Sequence, residues 1–149
     1  PILTSRIDLA SINGKSCAYE IKTEFDNLSK LSRQIFDYSK CFEYVFVICH
    51  IKQIKNVLKE IPDFCGVYQY SGRKHIAFKK VKEATISPNL CSKDMINLLR
   101  KNERVKTFKT NDIDKILKKF TFEKINKSFK AVLKNRFKSD WKSFLNTLN

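Results

Sequence analysis

The chain is poor in residues that loosen or interrupt structure. Only three of its 149 residues are Gly and three are Pro, which argues against disorder or low complexity. No apolar run approaches the length of a membrane span, and no secretory signal pattern is present. The five cysteines (17, 41, 49, 65 and 91) are odd in number and contain no C-x-x-C pair. A structural zinc site needs clustered ligands, and Cys65 with His50 or His75 is too sparse for one. Reduced thiols in the cytoplasm are therefore the expected state. Neither histidine has a nucleophile beside it, so a His-based hydrolase is not expected. There is no Gly-rich phosphate loop, internal repeat or coiled-coil register. The chain begins with Pro1 and its single Met is at position 95, so the natural start is expected upstream.

Acidic residues are also scarce relative to basic ones. Thirty Lys and Arg face 15 Asp and Glu, a formal charge of +15. The excess is uneven: residues 1–75 carry net +3 and residues 76–149 net +12. Such an excess favours phosphate backbones or anionic membrane surfaces as partners. The plainer alternative is a lysine-rich solvated surface. Apolar residues, at 42%, suffice for a real core, and Phe is the main aromatic.

The stretch that organises the chain is Arg6-Ile7-Asp8-Leu9-Ala10 followed by Ala18-Tyr19-Glu20-Ile21-Lys22. On a strand, Glu20 and Lys22 share one face. Whether Asp8 joins them depends on the turn around Asn13-Gly14. A two-residue turn leaves Asp8 opposite Tyr19. A three-residue loop with Gly14 left-handed brings Asp8 onto the face of Glu20 and Lys22. The three-residue loop is preferred, because the opposite face then reads Ile7, Leu9, Cys17, Tyr19 and Ile21, an apolar face behind a charged one. Two carboxylates beside an ammonium suit a divalent cation and its waters. The plainer reading is an exposed strand with a stray ion pair.

Apolar residues Leu28, Leu31, Ile35, Tyr38 and Phe42 then mark an amphipathic helix over 26–41, with Asp26 or Asn27 as candidate cap. Gln34 and Tyr38 lie one turn apart. Tyr44-Val45-Phe46-Val47-Ile48-Cys49 reads as a fully buried strand. In this order, Asp8, Glu20-x-Lys22, Gln34-x-x-x-Tyr38 and a strand, the chain resembles the PD-(D/E)xK nuclease superfamily, in particular its RecB-like branch. It also resembles an uncharacterised bacterial group assigned there. The resemblance covers roughly residues 4–89. It implies that Asp8 and Glu20 bind Mg²⁺ or Mn²⁺, that Lys22 serves the nucleophilic water, and that Gln34 and Tyr38 support the site or contact nucleic acid. Many members carry a further acidic residue on a preceding helix, which is expected upstream of Pro1.

Further along, Ile51, Ile54, Val57, Leu58 and Ile61 mark a short helix ended by Pro62. Residues 64–70 and 74–79 flank Ser71-Gly72-Arg73 as a second hairpin. The expected fold class is α/β (α+β): a restriction-endonuclease-like mixed sheet of about five strands flanked by helices, over residues 1–89. Residues 90–149 form a basic helical extension. Cys91–Glu103 reads as one helix with Met95, Leu98 and Leu99 on its inner side. Another, over Asp112–Phe120, is capped by Thr110 or Asn111. Phe122, Ile125, Phe129, Val132, Leu133 and Phe137 form a further apolar stripe, and Trp141, Phe144, Leu145 and Leu148 close the chain. The spacing of Phe122, Phe129 and Phe137 favours core packing over base stacking.

The leading functional expectation is thus a metal-dependent nuclease acting on DNA, or RNA, in a bacterial cytoplasm. Lys30, Arg33, Lys79, Lys80 and Lys82 are the expected nucleic-acid contacts. Two other expectations are kept. One is a nuclease toxin domain delivered into a target cell and neutralised by an acidic immunity protein. The other is a nucleic-acid-binding module without catalysis.

Overall fold

The computed structural model describes residues 5–72, 77–136 and 138. Expectations for Arg73, His75, Phe137, Trp141, Phe144, Leu145 and Leu148 lie outside the described residues. The chain divides into two compact units, Pro1–Leu90 and Cys91–Asn149.

The first unit holds a five-stranded mixed sheet with helices. Strands β1 (Leu9–Asn13) and β2 (Lys15–Lys22) form an antiparallel hairpin in which Leu9 faces Tyr19 and Asn13 faces Lys15. Gly14 sits at φ +73°, a conformation in which glycine meets no Cβ penalty. This is the three-residue register, and extended by one position it sets Asp8 opposite Glu20. Helix α1 (Leu31–Ser39) crosses over to β3 (Tyr44–His50), which runs parallel to β2. A single 3₁₀ turn (Ile51–Gln53) and α2 (Ile54–Glu60) lead to β4 (Gly66–Ser71), parallel to β3. Strand β5 (Ala77–Lys82) closes the sheet antiparallel to β4, giving the order β1-β2-β3-β4-β5.

Helix α1 is shorter than the apolar spacing predicts, for a local reason. Asp26 accepts a hydrogen bond from the Thr23 backbone N–H at 2.6 Å, and Asn27 from that of Ser29 at 2.7 Å. Both side chains shape the turns before the helix, so neither caps it. Its inner face presents Leu31, Ile35 and Tyr38 to Ala18, Val45 and Val47, all fully buried.

That packing reverses the expected sense of the hairpin. The face carrying Ser16, Ala18, Glu20 and Lys22 is buried, whereas Leu9 and Ile21 on the other face are 51% and 42% exposed. Strand β3 is likewise buried on one side only: Val45, Val47 and Cys49 are inside, while Tyr44, Phe46, Ile48 and His50 are half-buried. In α2, Val57 is buried, but Leu58 and the preceding Ile51 are exposed.

The second unit is helical: α3 (Ser92–Leu98), α4 (Lys101–Phe108), α5 (Ile113–Lys119) and α6 (Phe122–Arg136). The predicted single helix over 91–103 is broken at Leu99 and Arg100, both extended. Glu103 accepts the Arg100 backbone N–H at 2.7 Å and restarts the helix. Asp112, rather than Thr110 or Asn111, caps α5 by accepting the Lys115 N–H at 3.1 Å. Met95, Ile96, Leu99, Phe108, Ile116, Ile125, Phe129 and Leu133 form the core. Arg136 pairs with Glu103 at 2.5 Å and Arg104 donates to the carbonyls of Ile96 and Leu99, tying the helices together.

Candidate functional site

The residues singled out by the sequence meet beneath α1. Strand β2 directs Glu20 and Lys22 to the same side, and α1 places Gln34 and Tyr38 over them one turn apart. Glu20 is 2% exposed and Lys22 8%, which excludes the exposed strand with a stray ion pair. The Lys22 ammonium donates to Glu20 Oε1 at 2.8 Å and to Gln34 Oε1 at 3.0 Å. Gln34 Nε2 donates to the same Glu20 oxygen at 2.5 Å. The Tyr38 hydroxyl lies 2.6 Å from Glu20 Oε2 and 2.5 Å from the Arg6 carbonyl, so its one proton serves two acceptors in turn. Burial, and then the neighbouring Glu20 carboxylate, pushes the Tyr38 phenol well above its ordinary value. It stays a neutral donor.

Asp8 lies beside this group and is not hydrogen-bonded to its side chains. It is exposed, and its Oδ2 accepts the Ile21 backbone N–H at 2.9 Å. It lines a cleft of about 400 Å³ with Ser5, Arg6, Lys30, Arg33 and Gln34. Lys30 and Arg33 are exposed there, on the α1 side of the sheet. Lys79, Lys80 and Lys82 lie on β5, the edge strand opposite β1. Lys80 pairs with Glu83 at 2.9 Å, and Lys82 donates to the Pro62 carbonyl at 3.1 Å. The five predicted nucleic-acid contacts thus divide between two places on the first unit and do not line one groove.

The donor set does not fit a Mg²⁺ or Mn²⁺ ion as arranged. Both Glu20 oxygens are taken by Lys22, Gln34 and Tyr38. Among the described residues no group of three His, Cys, Asp or Glu side chains converges. An ion at Glu20 Oε1 would have to displace a buried ammonium or amide, and one at Oε2 would have to share that oxygen with the Tyr38 hydroxyl. Chemically, the cluster is a closed lock in which one ionised pair and its hydrogen bonds join β2, α1 and the segment before β1.

Comparison with known proteins bears on what this lock belongs to. The family described as Bacteriophage P4 protein cII matches residues 2–149. The chain belongs to this family. Protein cII of Enterobacteria phage P4 is 27% identical over 157 aligned residues, covering 97% of this chain. The chain spans 59% of that relative's length. No solved structure matches. The family assignment overturns the expected nuclease: the matches are to protein cII, and none is to a nuclease, hydrolase or toxin. The reaction assigned to Asp8, Glu20, Lys22, Gln34 and Tyr38, and the toxin alternative, fall with it. In this P4 cII family member, no helix among the described residues is long and apolar enough to cross a membrane.

The sequence reading missed the aromatic residues of the uncovered sheet face. Their signal is present as alternation, Tyr44-x-Phe46 and Tyr68-x-Tyr70, but the first lies in a run that reads as fully buried and the second in one that reads only as a hairpin strand.

Proposed function

We propose that this member of the P4 cII family is a non-enzymatic nucleic-acid-binding protein that holds phosphates through exposed lysines. The observation that carries the reading is the placement of charge. Residues 91–149 contain 16 Lys and Arg against six Asp and Glu, contributing +10 of the formal +15. On α6, Lys124, Lys127 and Lys134 are exposed and recur at helical spacing along one side. The opposite side buries Ile125, Phe129 and Leu133. A lysine stripe of this kind neutralises phosphates and releases counterions without reading sequence.

The test is binding of duplex DNA, with RNA as comparison, measured against salt concentration. Affinity falls steeply with salt and is unchanged by EDTA. Replacing Lys124, Lys127 and Lys134 by Glu lowers affinity by at least tenfold and flattens the salt slope by about three charges. Equal binding by the triple variant and the wild type would remove the α6 stripe from the proposal. Absence of any salt-dependent binding would overturn the function itself.

A further inference from the structure

The sheet face that no helix of the first unit covers carries an array of aromatic rings. Tyr19 stacks on Phe46, with centroids 5.3 Å apart and planes 14° from parallel. Phe46 continues to Tyr68 at 5.4 Å. Along the same face, His50 meets Tyr70 at 5.4 Å and Tyr70 meets Phe78 at 6.2 Å. Strand pairing places these rings side by side: Tyr19 opposite Phe46, His50 opposite Tyr70, and Tyr70 opposite Phe78. Gly66 leaves room for the array, since a Cβ there would stand 2.5 Å from the Phe46 ring.

Cations sit over the rings. Lys15 Nζ lies 4.8 Å from the centroid of Tyr44, and Lys80 Nζ 5.7 Å from that of Tyr68. Lys80 also pairs with Glu83, but both side chains are solvated, at 44% and 75% exposure, and a phosphate can replace such a partner at little cost. The strand positions of this face include no carboxylate. Phe78, at the edge, is 64% exposed.

We infer that this face is a platform on which the bases of a single-stranded polynucleotide stack. The inference rests on the reading that the partner is nucleic acid, and names the form of it that this unit takes. Rings set side by side on adjacent strands, with the outer Phe78 ring exposed and lysines beside the array, suit unpaired bases, whose flat surfaces are accessible and whose phosphates need counter-charge. A duplex keeps its bases stacked inside and presents only phosphates to such a face. An apolar protein partner would not need the lysines, and the positive charge opposes pairing with a second copy of the same face.

The experiment uses the whole chain and three labelled probes of equal length: oligothymidylate, oligouridylate and a DNA duplex. Tyr68→Ala and Phe78→Ala are each expected to weaken binding of the single strands about tenfold and to leave duplex binding unchanged. Tyr68→Phe, which keeps the ring, retains wild-type affinity. This rescue separates loss of stacking from loss of fold. The ratio of the two single-strand affinities shows whether the platform takes DNA or RNA. If the single strands bind but the ring variants leave them unaffected, the platform is overturned while the lysine-based function stands. If no probe binds, both fall. If the wild type is a dimer in sedimentation velocity and Phe78→Ala makes it a monomer, the face is a self-interface and the inference is overturned.

Discussion

The two faces of the sheet differ in sequence, one charged and one apolar, and the folded chain covers them in the opposite sense to their hydrophobicity. One face of β2 reads Ser16, Ala18, Glu20, Lys22 and the other Cys17, Tyr19, Ile21. By hydrophobicity alone the second belongs inside. The first is nevertheless the covered one, because α1 supplies Gln34 and Tyr38 to satisfy the ion pair and Leu31 and Ile35 to surround it. The difference teaches that burial of a charged strand face depends on what the covering helix brings. A buried pair is tolerated when every lone pair and proton has a partner. An apolar face stays open when no element of its unit packs on it.

The comparison can be broken most strongly at Glu20. Glu20→Ala leaves the Lys22 ammonium buried without its carboxylate, and a loss of about 3–5 kcal/mol in urea unfolding is expected. A loss below about 1 kcal/mol would mean that the pair is solvated and the covered face is open. Tyr38→Phe removes the donor to Glu20 and to the Arg6 carbonyl at an expected cost of about 1–3 kcal/mol.

The same variant gives a pH test. Because the folded phenol titrates above its ordinary 10.0, its stabilisation is full below that value and is lost as pH rises past it. Tyr38→Phe should therefore lose less stability than the wild type between neutral and strongly alkaline pH. A parallel alkaline decline would show that Tyr38 is not held as described.

On the open face, Gly66→Ala forces a methyl group against the Phe46 ring and Ala84, costing about 1–3 kcal/mol. Unchanged stability together with unaltered ring packing would show that the array yields easily. The smallest effect is expected from metal. Mg²⁺ or Mn²⁺ should leave the melting temperature of the wild type unmoved, since Glu20 is already occupied by Lys22. A rise that Asp8→Ala abolishes would instead place an ion at Asp8 and Glu20.

Much of the fold was legible. The hairpin register followed from Gly14 and from the apolar face it gathers from Ile7, Leu9, Cys17, Tyr19 and Ile21, and the structure has that register. The five strands and the helical second unit followed from periodicity and from turn residues. Helix ends were less legible, because Asp26, Asn27 and Glu103 can serve either a turn or a cap and tertiary context chooses. The pairing of Glu20 with Lys22 on one strand face and of Gln34 with Tyr38 one helical turn apart could be read from spacing. Their meeting in one cluster was implied only by the resemblance. Their use could not be read, since one arrangement of polar groups serves a metal when open and a structural lock when closed. The family match moved the function away from catalysis.

Residue order alone determined the alternation of the strands, the left-handed turn at Gly14, the three- and four-residue spacing of the helices and the gathering of positive charge after residue 90. These depend on local sterics and on covalent order. Tertiary structure decided which side of the sheet received α1, and with it whether Glu20 or Tyr19 lay inside. A strand's alternation defines two faces but does not choose between them. The choice belongs to the segment that crosses over them and to the hydrogen bonds it can complete.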